Sequence, residues 1–359
     1  MLRTDNKKLL AILSAAVIGI AAGNSWAQDD SGAAAGGADS ATAATAVNPE
    51  TLVKPLPSEM EPLTYKSLIL DAVNTGEHVI AVGARGAVLV SNNGKDWAQV
   101  QTPVRAMLTS VFFIDSKNGW AVGHDATILH TTDGGRTWQL QNFHPELEKP
   151  FLQIICTDAS TCVAVGAYGL LERTTDAGAT WTAVNAPSIL ADQLHLNSIT
   201  RLGNGDLLIA GEQSMLGLSS DGGATWTKLP PPYDGSLFGA LPVGQTGAMI
   251  YGLRGNVFVT DDVKSNKWTK LDTGTVASFF GGTILPNGDR ILVGLAGTVL
   301  DIKPGTNAVS QIQISQAVDG SNGKQKQQVV TSTLSSVIPF GSGILVTGSQ
   351  GVQTVAQIQ

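Results

Sequence analysis

Four stretches of this chain repeat one cadence: VIAVGARGAVLVSNNGKDW (79–97), WAVGHDATILHTTDGGRTW (120–138), CVAVGAYGLLERTTDAGATW (162–181) and LLIAGEQSMLGLSSDGGATW (207–226). Each holds an apolar run ending in a small residue plus glycine, then a second apolar run, a turn, and Trp. Alignment on the glycine step brings Gly83, Gly123, Gly166, Gly211, Gly252, Gly294 and Gly348 into register, at spacings of 40, 43, 45, 41, 42 and 54. Repeats of 40–45 residues built from several short strands are the signature of a propeller blade. Residues 51–359 divided by seven give about 44 per unit, so the fold expected is all-β, a seven-bladed β-propeller. Eight blades is the structural alternative, but the last spacing is better explained by the polar insertion AVDGSNGKQKQQ (317–328).

The interior of the unit carries the same message. LTSVFFID (108–115), GWAVG (119–123), ATILHTT (126–132) and TWQLQ (137–141) are short β-rich runs bounded by Gly, Asn and Asp, which read as strands joined by hairpins. The turn between the third and fourth runs is Asp133-Gly134-Gly135, Asp176-Ala177-Gly178 or Asp221-Gly222-Gly223. Aspartate there can accept hydrogen bonds from amides just ahead, and glycine supplies the positive φ of a tight turn. Thr137, Thr180 and Thr225 follow, then Trp138, Trp181 and Trp226. An indole buries about 150–250 Å², worth at most about 4–6 kcal/mol. The motif is expected to be a structural fastener.

The S/T-x-D-G-G-x-T-W pattern resembles the Asp-box, or BNR, motif of sialidase-type propellers. The fuller unit, with GWAVG upstream of ILHTTDGGRTW, resembles the photosystem II stability/assembly factor-like propeller family over residues 51–359. The first repeat has Asn92-Asn93-Gly94 in place of the acidic turn, which preserves the turn chemistry. The fifth (VTDDVKSNKW, 259–268) is lengthened, the sixth (DIKPGTNAV, 301–309) lacks the Trp, and the seventh stops after three strands. A ring needs a fourth strand there, and TLVKPLPSEMEPLTY (51–65) stands unclaimed. An N-terminal strand from that segment is therefore expected to close the last blade and remove an exposed edge.

The N-terminus reads as an export signal: Arg3, Lys7 and Lys8 precede the apolar run LLAILSAAVIGIAAG (9–23), and Ser25-Trp26-Ala27 suits cleavage after Ala27. The run is shorter than the roughly 20 residues that span a bilayer, which disfavours an uncut anchor. Residues 28–50, rich in Ala, Gly, Ser, Thr and Asp, read as a flexible linker. The expected division is signal peptide 1–27, linker 28–50 and propeller 51–359, a protein secreted across the inner membrane to the periplasm, with no membrane span after cleavage. Without 1–27 the chain holds 19 basic and 28 acidic side chains, which argues against nucleic acid as a partner. The only cysteines, Cys156 and Cys162, suit a cross-hairpin disulfide in an oxidising compartment; a two-thiol metal site lacks nearby histidines.

No catalytic constellation emerges. Sialidases clamp a carboxylate with three arginines beside a tyrosine nucleophile. Here Arg136 and Arg173 fall near the fastener turns, and Tyr65, Tyr168, Tyr233 and Tyr251 show no partner pattern. His78, His124, His130, His144 and His195 have no metal-ligand spacing. No enzyme activity, cofactor or metal is expected. What remains is surface. The short loops after the repeated glycine carry Arg85, Asp125, Tyr168, Arg254 and Gln350 at equivalent steps. The longer connections at 141–151, 185–195 and 229–238 add Phe143, Pro145, Ile189, Leu190, Pro231 and Tyr233, which either pack locally or meet a partner. Arg85, Asp125, Tyr168, Arg254 and Tyr233 are the partner-binding candidates. The resemblance implies a monomeric scaffold assisting a membrane or envelope protein complex, an RND-type transporter being one such complex. The competing readings are a glycan-binding lectin and a sialidase-like glycoside hydrolase.

Overall fold

The computed structural model describes residues 53–319 and 325–355. The expected leader at 1–27 and the expected linker at 28–50 lie outside the described residues. Six four-stranded antiparallel sheets follow one another at 69–100, 108–142, 151–183, 198–228, 237–270 and 279–312, and a three-stranded sheet covers 334–355. Within each, the strands pair in chain order, so every sheet is a meander. The innermost strands pack side by side in sequence, and that of blade 7 (Leu334–Phe340) also packs against that of blade 1 (Ile69–Asn74). The result is a closed, seven-bladed β-propeller. Apolar side chains such as Ile80, Val163, Leu208 and Leu292, fully buried on the second strands, fill the seams between blades.

The glycine at each repeat step has one cause throughout. The residue after it donates its N–H to the carbonyl just ahead of the blade's first strand, as in Ala84 to Leu68, His124 to Met107 and Leu295 to Ser278, at 2.8–3.0 Å. The same carbonyl occupies the space that a Cβ would need at Gly123, Gly294 and the other five glycines. A side chain there would have to push backbone aside. The spacing of the repeat thus records where the incoming chain crosses each blade.

The fastener turns show how a side chain organises a hairpin. Asp176 Oδ1 accepts from the Thr174 hydroxyl and the Thr180 N–H, and its Oδ2 from the Thr180 hydroxyl, while Thr174 Oγ1 accepts from Gly178 N–H. Asp133 and Asp221 repeat the arrangement. In blade 1 Asn93 takes the aspartate's place, accepting from Ser91 Oγ, Lys95 N and Asp96 N. The hydrogen bonds from Thr180 and Thr174 hold the Asp176 carboxyl down to about 2; at Asp221 partial burial works against the shift, but Thr225 and Ser219 prevail, again to about 2. A carboxyl whose pKa is lower in the folded chain stabilises fully above its unfolded value, and the contribution is lost as pH falls through the folded value. Thermal unfolding followed against pH should therefore show a loss of stability between about pH 4 and pH 2. Asp176→Asn together with Asp221→Asn should reduce that slope, leaving Asp133 to titrate, and the turn should still close, as it does around Asn93 in blade 1.

The three tryptophans are not equivalent. Trp138 and Trp226 are buried, each donating its indole N–H to the glycine carbonyl of its own turn (Gly135 and Gly223) at 3.1 and 3.0 Å. Trp181 is half-buried and its indole N–H goes instead to Gln141 of blade 2, which also accepts from Trp120. Cys156 and Cys162, paired across neighbouring strands of blade 3, are joined in a disulfide.

Among the described residues of the 51–65 segment the expected closing strand does not form. Blade 7 has three strands among the described residues, and residues 57–66 run along blade 1, ending in a short 3-10 turn, Thr64–Lys66. Pro55, Pro57 and Pro62 each remove a donor from the segment, and its backbone groups at Ser58, Glu59 and Glu61 bond to Thr102 and Gln99 of blade 1 instead. The 317–328 insertion contributes to a separate two-stranded sheet, Ser315–Asp319 with Gln325–Val329, whose first strand comes beside blade 7. Blades 7 and 1 meet instead through side chains. Ile338, Phe340, Leu345 and Val352 pack against Ile69, Ala72 and Leu89. Ser335 Oγ donates to the Ile69 carbonyl, Ser336 Oγ to Asp71, and Thr354 Oγ1 to the Gly94 carbonyl. The same type of bond joins other blades, as Thr109 to Phe151 and Asn197 to Leu237. The closing seam is built like any other.

Candidate functional site

Because strands alternate in direction, the turns after the first and third strands share one face of the ring. The fasteners lie there, tied to neighbouring turns by bonds such as Gly134 N to Lys117 O and Ala177 N to Ser160 O. The other face, the connection face, carries the turns after the second strand and the links between blades.

On the connection face six equivalent turns place a non-glycine residue in the left-handed region: Arg85 (φ 58°), Asp125 (58°), Tyr168 (53°), Gln213 (48°), Arg254 (54°) and Ala296 (54°). In four of them glycine follows, also at positive φ. A left-handed conformation costs an L-residue about 1–2 kcal/mol, and such strain gathers at functional surfaces. Four of the five candidates read from the sequence, Arg85, Asp125, Tyr168 and Arg254, are therefore equivalent and share one face. Arg85, Tyr168 and Arg254 are exposed, while Asp125 is half-buried. Tyr233 differs: its ring packs at a tilt against Phe258 at 5.1 Å and its hydroxyl donates to the Ser236 carbonyl at 2.7 Å, so it braces a connection. Phe143, Ile189 and Leu190 likewise pack into blade seams.

Arg85 and Arg254 sit in matching surroundings on blades 1 and 5, across the ring from one another. Thr102 and Thr273 each donate a hydroxyl to the carbonyl after the arginine, Gly86 and Gly255, at 2.8 and 2.9 Å. Among the described residues neither guanidinium has an ion pair or side-chain hydrogen bond. Arg254 borders a shallow groove of about 820 Å³ with Lys270, Asp272, Thr275 and Val276. Tyr168 stands 50% exposed, its N–H bonded to Nδ1 of buried His195 and its ring edge-on to that imidazole at 4.6 Å. Backbone and ring are thus held, while the aromatic face is offered outward. The turns themselves are visible in sequence as glycine doublets; that Leu147 and Val276 also stand exposed on this face was not, because both lie in connections without a repeat.

The remaining arginines do not converge. Arg173 Nε donates to the Gly222 carbonyl and Arg201 Nη1 to the Thr157 carbonyl, both at the fastener face. Arg105 pairs with Glu59, and Arg290 is buried with Nε and Nη1 unpartnered. The ring axis is a channel of about 460 Å³ lined by Asp71, Ser110, Gln153, Ser198, Tyr251 and Ser336 among others. Burial and the Asp71 charge push the Tyr251 phenol well above its ordinary range, away from a nucleophile's role. Among the described residues no group of His, Cys, Asp and Glu could hold a metal.

Asp-box fasteners on one face and a ring of strained turns on the other define a BNR-repeat propeller. The family described as photosynthesis system II assembly factor YCF48 matches at 89–186 and 141–315, more than half of the chain, and the chain belongs to it. It is 44% identical over 43 residues to the photosystem II assembly protein Ycf48 of Thermosynechococcus vestitus (12% of each chain). It is 35% identical over 81 residues to the photosystem II assembly lipoprotein Ycf48 of Prochlorococcus marinus, 21% of this chain and 24% of that one. The matched stretches therefore span a quarter or less of these curated relatives. Two solved structures are similar across most of the ring. YCF48 bound to D1 peptide has a TM-score of 0.62 at 21% identity, covering 85% of this chain and 100% of that one. YCF48 from Cyanidioschyzon merolae has a TM-score of 0.61 at 17% identity, covering 82% and 97%. At these identities the likeness is one of fold.

Proposed function

We propose that this propeller is a non-catalytic docking scaffold that holds an extramembrane segment of a membrane protein against its connection face, acting in the periplasm as an assembly or accessory factor. The observation that carries the reading is the pair of unpaired guanidiniums, Arg85 and Arg254, on equivalent strained turns with exposed Tyr168 between them in chain order. Arginine and tyrosine held rigid by their backbone are the residue types that dominate protein interfaces. Two free guanidiniums select a segment bearing carboxylates. The names of the relatives, assembly proteins and a propeller bound to a peptide of D1, agree with such a task. The leader at 1–27 supports export, and among the described residues no helix is long and apolar enough to cross a membrane. An RND-type transporter is the partner complex we put forward, on the family role alone.

The test is affinity purification of the full chain from chemically crosslinked envelope. Arg85→Glu with Arg254→Glu should reduce recovery of a stoichiometric membrane protein at least about tenfold, at unchanged thermal stability, since both side chains are exposed and unpaired. Undiminished recovery from the double variant would remove the connection face from the reading.

A further inference from the structure

The segment that fails to close the ring is inside out. Among residues 53–66 the polar Ser58 and Thr64 are 3% and 8% exposed, whereas Val53, Leu56, Met60 and Leu63 are 66%, 58%, 52% and 60% exposed. Folding alone favours the reverse, since apolar area gains from leaving water and hydroxyls do not. The segment is nonetheless firmly held. Ser58 N–H donates to the Thr102 carbonyl and Thr102 N–H to Ser58 Oγ, at 3.0 and 2.9 Å. Gln99 donates to the Glu59 carbonyl and accepts from Glu61 N–H and the Thr64 hydroxyl. Arg105 pairs with Glu59 at 2.8 Å. These bonds fix a strap with its apolar side chains turned outward.

The strap belongs to the connection face. Thr102, which clamps Ser58, is the residue whose hydroxyl fixes the Arg85 turn through the Gly86 carbonyl, and the Tyr65 carbonyl lies against Gly351 in the equivalent turn of blade 7. Of the large apolar side chains left exposed among the described residues, those of the strap, Leu147, Tyr168 and Val276 are all on segments of this face, and Val329 is apart from them. Exposed apolar groups collected on one face of a domain mark a contact surface.

We infer that the strap is a second contact row for the docked segment, so that the segment carries apolar side chains beside the carboxylates that meet Arg85. The inference rests on the docking reading above and adds the strap and the amphipathic character of the partner. Glu59 and Glu61 within the strap direct the segment's carboxylates toward Arg85 and its apolar side chains toward the strap; an anionic lipid surface, which carries its charge uniformly, fits less well.

The experiment uses the full chain, expressed with its leader, carrying the photocrosslinker p-benzoylphenylalanine at Met60, at Tyr168, or at Lys95 on the fastener face as a control. Adducts are identified by mass spectrometry down to the crosslinked peptide. The inference expects Met60 and Tyr168 to capture one and the same membrane protein through one extramembrane stretch in which apolar and acidic residues alternate, with nothing at Lys95. Met60→Glu with Leu63→Glu should then lower the Tyr168 adduct about fivefold without changing the melting temperature. If Tyr168 captures that protein while Met60 yields only lipid, a second copy of this chain, or no adduct, the strap inference fails and the docking reading stands. If both positions are blank, both fall.

Discussion

Asp71→Ala should lower the stability of the propeller by about 3 kcal/mol, measured as a shift in the urea midpoint with the slope unchanged. The side chain lies in the channel wall of blade 1 and reaches both neighbours. Its Oδ1 accepts from Ala72 N–H and the Ser336 hydroxyl of blade 7, at 2.9 and 2.8 Å; its Oδ2 accepts from the Ser110 hydroxyl and Val111 N–H of blade 2, at 2.9 and 3.0 Å. Alanine leaves two main-chain N–H groups unpaired in a narrow channel, and each such group costs about 1–3 kcal/mol where water reaches it poorly. Asp71→Asn is the sharper variant. Whichever carboxylate oxygen becomes an amide nitrogen would point a donor at donors, so a loss of about 2 kcal/mol is expected despite near-identical shape. Burial pushes the Asp71 carboxyl above its usual range, against these hydrogen bonds. Its pH effect therefore has the opposite sign to that of the fasteners: a carboxyl raised in the folded chain loses stability as pH climbs through the raised value. A change below about 1 kcal/mol for Asp71→Ala would mean that the remaining seam contacts hold blade 1 to blades 7 and 2 without the carboxylate.

Trp226→Ala should cost about 4 kcal/mol, and Trp181→Ala about half that. Trp226 is 7% exposed and belongs to the seam between blades 3 and 4, with Val163, Val165 and Ile189. Gly217 leaves room for the indole, whose ring lies 3.5 Å from where a Cβ would sit. Removing the indole opens a cavity that main-chain strands cannot collapse into. Trp181 is half-exposed, and the carbonyl of Gln141 that it meets keeps Trp120 as a second donor, so less is lost. Chemical unfolding of the two variants side by side checks the ratio; equal losses would contradict the different packing of the two indoles.

Much of this fold was legible because its devices are local. The fastener needs Thr174, Asp176, Gly178 and Thr180 within seven residues, and the sequence holds all four together. The glycine step is legible for a different reason: the same main-chain crossing recurs in all seven blades, so a long-range contact leaves a periodic mark. Where a contact is both distant and unrepeated, no mark is left. Asp71 meets partners 39 and 265 residues away, and nothing around it announces either. Gln141, shared by two indoles, is equally silent. The expected closing strand failed because the segment's backbone groups are taken by distant, unrepeated partners on blade 1, Thr102 and Gln99. On the connection face the positions of Arg85, Tyr168 and Arg254 were readable from their place after the glycine. The outward row Leu56, Met60 and Leu63 was not, since polarity along an irregular segment has no period from which to deduce a direction.

The side-chain closure between blades 7 and 1 has a mechanical corollary. In a ring whose two termini share a sheet, tension applied between them is borne by a row of amide bonds loaded in shear. Here a pull between the ends of the ring would fall on packed apolar side chains and three hydroxyl bonds, one of them to the Asp71 carboxylate, and these can give way with both adjoining sheets still zipped. Under force, this disc should come undone at its own join, shedding intact blades one after another.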